Sequence, residues 1–191
     1  MRGRMIWLVL LCAVVVVSAL YHARSALATS QFGFSTTFLT PTTGVRYGEI
    51  DVFNQFIPTD LSGEPGEGNK GNVWLSWQKT KGQSDLYIVR NNWNAIDSMG
   101  NISTTGWHFH PGHGLITVIA GTVTVYQGDD PTCTPHVYTA GMGFVEPGGS
   151  GHVHIVRNET NLPAQTIAVQ LIPAGQPRKI DVSPSPGNCP F

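Results

Sequence analysis

Charged residues are scarce in this chain, and their scarcity excludes several classes of protein. Only 12% of the 191 residues are charged, and 11 Lys+Arg nearly balance 12 Asp+Glu. A near-neutral chain is neither a basic nucleic-acid binder nor an acidic disordered tail. So few charges also argue against a helical bundle, whose exposed faces need Glu, Lys and Arg. We therefore expect a globular protein without a nucleic-acid partner.

Long apolar runs are also rare, with one exception at the N terminus. Residues 5–21 are almost wholly apolar and follow the basic sequence MRGR, and Ala26-Leu-Ala28 supplies a signal-peptidase pattern. These features predict a signal peptide over residues 1–28 and a secreted or periplasmic protein. A membrane anchor formed by residues 5–21 is the alternative, at the short limit for spanning a bilayer. Membrane association is expected only if this segment stays uncleaved.

Cysteine is nearly absent, and the two cysteines beyond the signal segment form an even pair. Cys12 lies inside the signal segment, which leaves Cys133 and Cys189. An even count in an exported chain predicts one disulfide. Two free thiols, or a bridge between two molecules, are the alternative.

Turn formers and β-branched residues dominate the rest of the chain. There are 22 Gly and 13 Pro, and about eight short β-rich runs recur between turns, which predicts a β-sandwich or barrel. We assign residues 29–72 to an N-terminal arm and flexible loop, 73–173 to the barrel, and 174–191 to a C-terminal tail held by the disulfide. Gly121 divides the run from Leu115 to Tyr126 and predicts a hairpin.

Histidines cluster in the middle of the barrel segment. All six histidines beyond the signal segment lie between positions 108 and 154. Residues two apart in a strand project from one face, so His108-Phe-His110 and His152-Val-His154 each present paired imidazoles. Two such pairs on strands facing one interior could surround a divalent cation.

The two histidine segments resemble the paired motifs of the cupin superfamily. Gly106-Trp-His-Phe-His110 with Gly121 resembles the first motif, which is His-x-His, then Glu, then Gly. Gly141 to Asn158, with Pro147-Gly-Gly149 before the histidines, resembles the second. The resemblance implies an all-β double-stranded β-helix, or jelly roll, with a metal site inside the barrel mouth.

Two departures from the family pattern bear on the ligands. Gly114 stands where the family has its glutamate, so we predict an all-histidine site of His108, His110 and His154. We prefer His154 to His152 because a paired strand tolerates no insertion; His152 and His113 are the alternates. Imidazole ligands favour Fe²⁺, Zn²⁺, Ni²⁺ or Cu²⁺ over Mn²⁺.

The resemblance implies an exported mononuclear metalloprotein with an open coordination position for a small molecule. We expect an oxygenase of the dioxygenase type before an isomerase or a hydrolase. A non-catalytic module that binds a small molecule or a metal is the alternative, because the only acid–base candidates are Glu146 and Tyr126. Cupins commonly dimerise, and the strand-like run from Glu49 to Phe53 could cross to a partner.

Overall fold

The computed structural model describes residues 30–55 and 75–191, and every regular element in these ranges is a β-strand. The proposed signal segment and most of the proposed flexible loop lie outside the described residues. The described ranges contain no helix with the length and apolarity of a membrane span.

The described residues form fourteen strands, numbered here in chain order. They are β1 (Phe34–Phe38), β2 (Val45–Tyr47), β3 (Asp51–Gln55), β4 (Leu75–Lys79), β5 (Ser84–Trp93), β6 (Ser103–Thr104), β7 (His108–Phe109), β8 (Gly114–Ala120), β9 (Thr122–Gln127), β10 (His136–Thr139), β11 (Gly143–Glu146), β12 (His154–Asn158), β13 (Ala164–Pro173) and β14 (Ile180–Asp181).

Two antiparallel six-stranded sheets form the body of the fold. The first has the order β1-β5-β13-β8-β11, with β2 also on β5. The second has the order β10-β9-β12-β7-β14, with β6 also on β12. This all-β arrangement confirms the predicted double-stranded β-helix.

The inner faces of the two sheets pack together into the core. β5 and β13 alternate between buried and less buried residues, as expected of strands that turn one face inward. One buried cluster joins Trp93 and Val118 of the first sheet to Val125 and Val156 of the second. Burial of these apolar faces against each other holds the two sheets together.

The predicted hairpin at Gly121 is wrong. β8 pairs with β11 and β13, whereas β9 pairs with β10 and β12, so the chain crosses from one sheet to the other at Gly121. Its φ of 69° is left-handed, and a Cβ there would lie 2.5 Å from the carbonyl oxygen of Pro163. Only glycine fits this corner without strain.

The first sheet begins before the boundary that we assigned to the barrel. β1 and β2 pair with β5, although residues 29–72 were expected to form an arm and a loop. The run that we expected to cross to a partner largely forms β3, which pairs with β4 of the same chain in a separate two-stranded sheet.

The C-terminal tail lies against the second sheet. β14 pairs with β7, so that Asp181 lies opposite His108. Cys133 and Cys189 form the predicted disulfide, which is thereby confirmed. Cys189 is buried with Trp107, Tyr126 and Ile155.

Candidate metal centre

Four side chains from three parts of the chain meet between the two sheets. His108 on β7, His110 just after it, and His154 on β12 come together with Glu146 at the end of β11. All four are buried, and their candidate ligand atoms lie within 4.8 Å of one another. His154 lies directly opposite His108 in the antiparallel pairing of β12 and β7, which places both rings on the inner face.

Backbone carbonyls fix the orientation of all three imidazoles. The Nδ1 of His108 lies 2.8 Å from the carbonyl oxygen of Gly106, and the Nδ1 of His154 lies 3.0 Å from that of His152. The Nδ1 of His110 contacts the carbonyl oxygen of Arg178. A carbonyl only accepts a hydrogen bond, so each Nδ1 is the protonated nitrogen. The Nε2 atoms are therefore the ones turned toward the centre of the cluster, which is the arrangement of metal-binding histidines.

Glu146 adds a carboxylate to the three predicted histidines, so the candidate ligand set in the structure is not all-histidine. Its Oε2 lies 3.1 Å from the Nε2 of His110, and its Oε1 lies 3.3 Å from the Nε2 of His154. The side chain is only 8% exposed. From the sequence, Glu146 was only an acid–base candidate; in the structure it is the one buried residue of β11 and faces the histidines.

Gly114, which stands where the family has its glutamate, lies next to the carboxylate of Glu146. It lies directly opposite Glu146 in the antiparallel pairing of β8 and β11. A Cβ on Gly114 would lie 3.2 Å from the Oε2 of Glu146. The glycine thus leaves room for the carboxylate of Glu146 on the neighbouring strand. Glu146 therefore supplies a carboxylate next to the position where the family has its glutamate.

Burial and mutual contact set the protonation of the cluster. Burial holds the pKa of His108 well below its usual value, and nearby His154 and His110 lower it further. Burial would raise the pKa of Glu146, but His110 and His154 outweigh it and hold this pKa well below its usual range. Burial likewise lowers the pKa of His154, whereas Glu146 raises it, with a net rise. The buried carboxylate is thus ionised and needs a positive partner, either an imidazolium or a metal ion.

The donor set and its spacing fit one divalent cation. Nitrogen and carboxylate ligands lie about 2.0–2.2 Å from such an ion, so neighbouring ligand atoms are about 2.8–3.6 Å apart at about 90–109°. The contacts of 3.1 and 3.3 Å from Glu146 fall in this interval. The Nε2 of His154 is buried and has no partner in full hydrogen-bond geometry. A metal ion would satisfy this atom.

The other sequence candidates lie outside the cluster. His152 is exposed, and His113 is partly buried beside Leu115 and Leu171 on the outer side of the first sheet. The hydroxyl of Tyr126 donates a hydrogen bond to Glu159 across 2.9 Å, and its ring packs in the cluster around Cys189. The structure thus gives Tyr126 no contact with the histidines.

A small cavity adjoins the cluster. Its volume is about 70 Å³, and a single water needs about 10–15 Å³. The lining includes His108, His110 and Glu146, together with Gln170 and Arg178. Gln170 and Arg178 were not among the site residues predicted from the sequence. Gln170 is a polar residue within an apolar strand run, and it lies on the buried face of β13. A polar residue in such a run was the signal that the sequence offered. Arg178 lies beyond the barrel motifs and gave none.

Comparisons with known proteins agree with this fold. Residues 100–170 match the family model described as the cupin domain. No curated protein matches the sequence.

Several solved structures are similar at low identity. A protein with a double-stranded β-helix domain from Klebsiella pneumoniae is 20% identical, with a TM-score of 0.41 over 52% of this chain and 76% of that one. A cupin superfamily protein from Desulfitobacterium hafniense is 11% identical, with a TM-score of 0.37 over 46% and 67%. An oxalate oxidase is 20% identical, with a TM-score of 0.40 over 51% and 46%, so the match spans less than half of that protein. The family match covers residues 100–170, which include both histidine motifs, and these motifs lie on the paired strands β7 and β12. This part of the chain is therefore similar to the cupin domain.

Proposed function

We propose that this chain binds one divalent transition metal through His108, His110, Glu146 and His154, and a small molecule in the adjoining cavity. One observation carries the proposal. Three carbonyl-anchored imidazoles and a buried carboxylate bring their candidate ligand atoms within 4.8 Å of one another. Such a set of donors is costly to bury for packing alone, because each polar atom needs a partner.

The carboxylate changes which metals fit the site. Three imidazoles and one carboxylate suit Fe²⁺, Zn²⁺, Ni²⁺ and Cu²⁺, and the reason for disfavouring Mn²⁺ disappears once Glu146 is included. A six-coordinate ion held by four protein ligands keeps two positions for other molecules. Bound there, the metal would supply Lewis acidity and, as iron or copper, a route to O₂. We favour a small-molecule oxygenase, with isomerisation as the second activity to assay.

An extracytoplasmic location is part of the proposal. The disulfide between Cys133 and Cys189 supports it, because such bonds persist in oxidising compartments. The apolar run at residues 5–21 supports export on the sequence side.

Metal content of the purified exported protein tests the site. We expect one equivalent of metal in the wild type and in a His152→Ala control, which removes an exposed imidazole two residues from the site. We expect loss in His154→Ala. Full occupancy in His154→Ala, or loss in His152→Ala, would contradict the assignment. Iron or copper would direct substrate screening to O₂ consumption, and zinc or nickel to isomerisation; a loaded protein without turnover would be a binding module.

A ligand exchange between β8 and β11 tests the role of Glu146. We expect Glu146→Gly to weaken metal binding and the double variant Gly114→Glu/Glu146→Gly to restore it, because residues 114 and 146 are cross-strand partners. Removing the Glu146 side chain also removes the 3.2 Å contact that a Cβ at position 114 would make. If Glu146→Gly keeps full affinity, the carboxylate is not a ligand.

A further inference from the structure

Arg178 stands at the wall of the cavity beside the metal cluster. It lies between β13 and β14, and its guanidinium donates a hydrogen bond to the Oε1 of Gln170. The guanidinium carbon lies 5.4 Å from the ring centre of Phe38 and 5.9 Å from that of Tyr87. These contacts hold the group in place, but most of its five N–H donors have no acceptor among the described residues.

Arg178 has no carboxylate partner in the described part of the chain, unlike two other partly buried cations, Arg157 and Lys179. Among described residues, Arg157 lies 3.3 Å from Glu159, and Lys179 lies 2.7 Å from Asp181. No described carboxylate lies within 4 Å of Arg178. Burial lowers the pKa of Arg178 and outweighs the opposite effect of the Glu146 carboxylate. A partly buried guanidinium without an ion pair is a costly arrangement unless an anion from outside completes it.

The size and lining of the cavity limit that anion. About 70 Å³ is room for about five water molecules, which admits an organic acid of a few carbon atoms. Lys179 also lines the cavity, but its ammonium already binds Asp181 and the carbonyl oxygen of Thr105. One free guanidinium therefore remains, which matches a single carboxylate better than a doubly charged phosphate.

We propose that Arg178 binds the carboxylate of a small organic acid whose other end faces the metal cluster. This inference deepens the proposed function and rests on it for the reacting end of the ligand. The planar fork of the guanidinium can donate two parallel hydrogen bonds to one carboxylate, which fixes the orientation of the acid as well as its class.

Calorimetric titration with acetate tests the assignment on the exported protein, both chelated and loaded with Zn²⁺. Acetamide, which has the same shape without the charge, is the ligand control. We expect acetate to bind both forms and acetamide to bind neither. Arg178→Gln should weaken acetate binding by about 10-fold or more, because a charge-assisted pair of hydrogen bonds is lost. Arg90→Gln, which removes the same charge from an exposed position on β5, should leave the affinity unchanged.

Arg178→Lys separates the fork from the charge and guards against misfolding of the glutamine variant. We expect a binding loss smaller than that of Arg178→Gln. Equal acetate affinity in wild type and Arg178→Gln, or equal binding of acetamide and acetate, would overturn the inference. A protein that holds no metal yet binds acetate through Arg178 would refute the proposed function alone. A protein that holds metal but binds acetate independently of Arg178 would refute the inference alone.

Discussion

Removal of the disulfide should destabilise the protein by an amount that follows from its position in the chain. Cys133 and Cys189 are separated by 56 residues. Closing a loop of that length removes about 14 cal/mol/K of entropy from the unfolded chain, or about 4 kcal/mol at 25 °C. This is a large part of the stability of a single domain, which is about 5–15 kcal/mol.

Removal of the disulfide should change the free energy of the folded state much less than it raises the conformational entropy of the unfolded chain. Cys189 is 8% exposed and packs against Trp107 and Ile155. The ring of Phe191 lies 3.6 Å below the guanidinium of Arg157. These contacts do not need the covalent bond, so the tail should stay in place in a double variant with serine at both cysteines. The difference then reports the unfolded chain almost alone.

Urea denaturation of the wild type and of Cys133→Ser/Cys189→Ser, followed by tryptophan fluorescence, measures the effect. We expect the free energy of unfolding to fall by about 3–4 kcal/mol, with metal content unchanged because the cluster does not contact the disulfide. A fall below about 1 kcal/mol would refute the entropic argument. Two titratable thiols in denatured, unreduced wild type would remove its premise.

Three further outcomes follow from single contacts. Hydrogen bonds from Arg46 and from the Gly175 amide lower the pKa of Asp85, so its stabilisation is present above the unfolded pKa, about 3.9, and is lost as pH falls through the lower folded value. The stability difference between wild type and Asp85→Asn should therefore be larger in urea melts at pH 6 than at pH 3. Gly121→Ala should cost about 2 kcal/mol or more by thermal melting, whereas Gly141→Ala, with positive φ but open space, should cost about 1 kcal/mol. Excess Zn²⁺ should raise the midpoint of the chelated protein by mass action, and no rise would count against a metal site.

The fold could be predicted from the sequence because strands carry a simple period and the two motifs bracket them. The β-rich runs of the barrel segment appear in the structure as strands β4, β5 and β7 to β13. Sheet membership could not be read in the same way. The run through Gly121 has the local pattern of a hairpin, but sheet packing directs its two halves to opposite sheets. The sheet that each half joins depends on pairing with strands that are distant in the sequence, and the local pattern of residues does not show this pairing.

The candidate site was predicted in part, and the missing part has one physical cause. His108, His110 and His154 are marked by spacing within a strand, which sequence shows directly. Glu146 depends on the register between β8 and β11, which sequence does not show. The sequence nonetheless marked Glu146, because it is the only carboxylate within the two motifs. A carboxylate that is rare in its segment and lies at the end of a strand should be considered as a metal ligand together with the histidines.

Arg178 links the tail to the site in two chemically separate ways. Its backbone carbonyl accepts the Nδ1 proton of His110 and so fixes the nitrogen that faces the cluster. Its side chain lines the cavity and carries the charge that we assign to ligand binding. A side-chain substitution removes the second contribution and leaves the carbonyl in place. Loss of acetate binding with retained metal in Arg178→Gln would therefore separate ligand recognition from metal assembly within one residue, because β14 holds the backbone against β7 in either case.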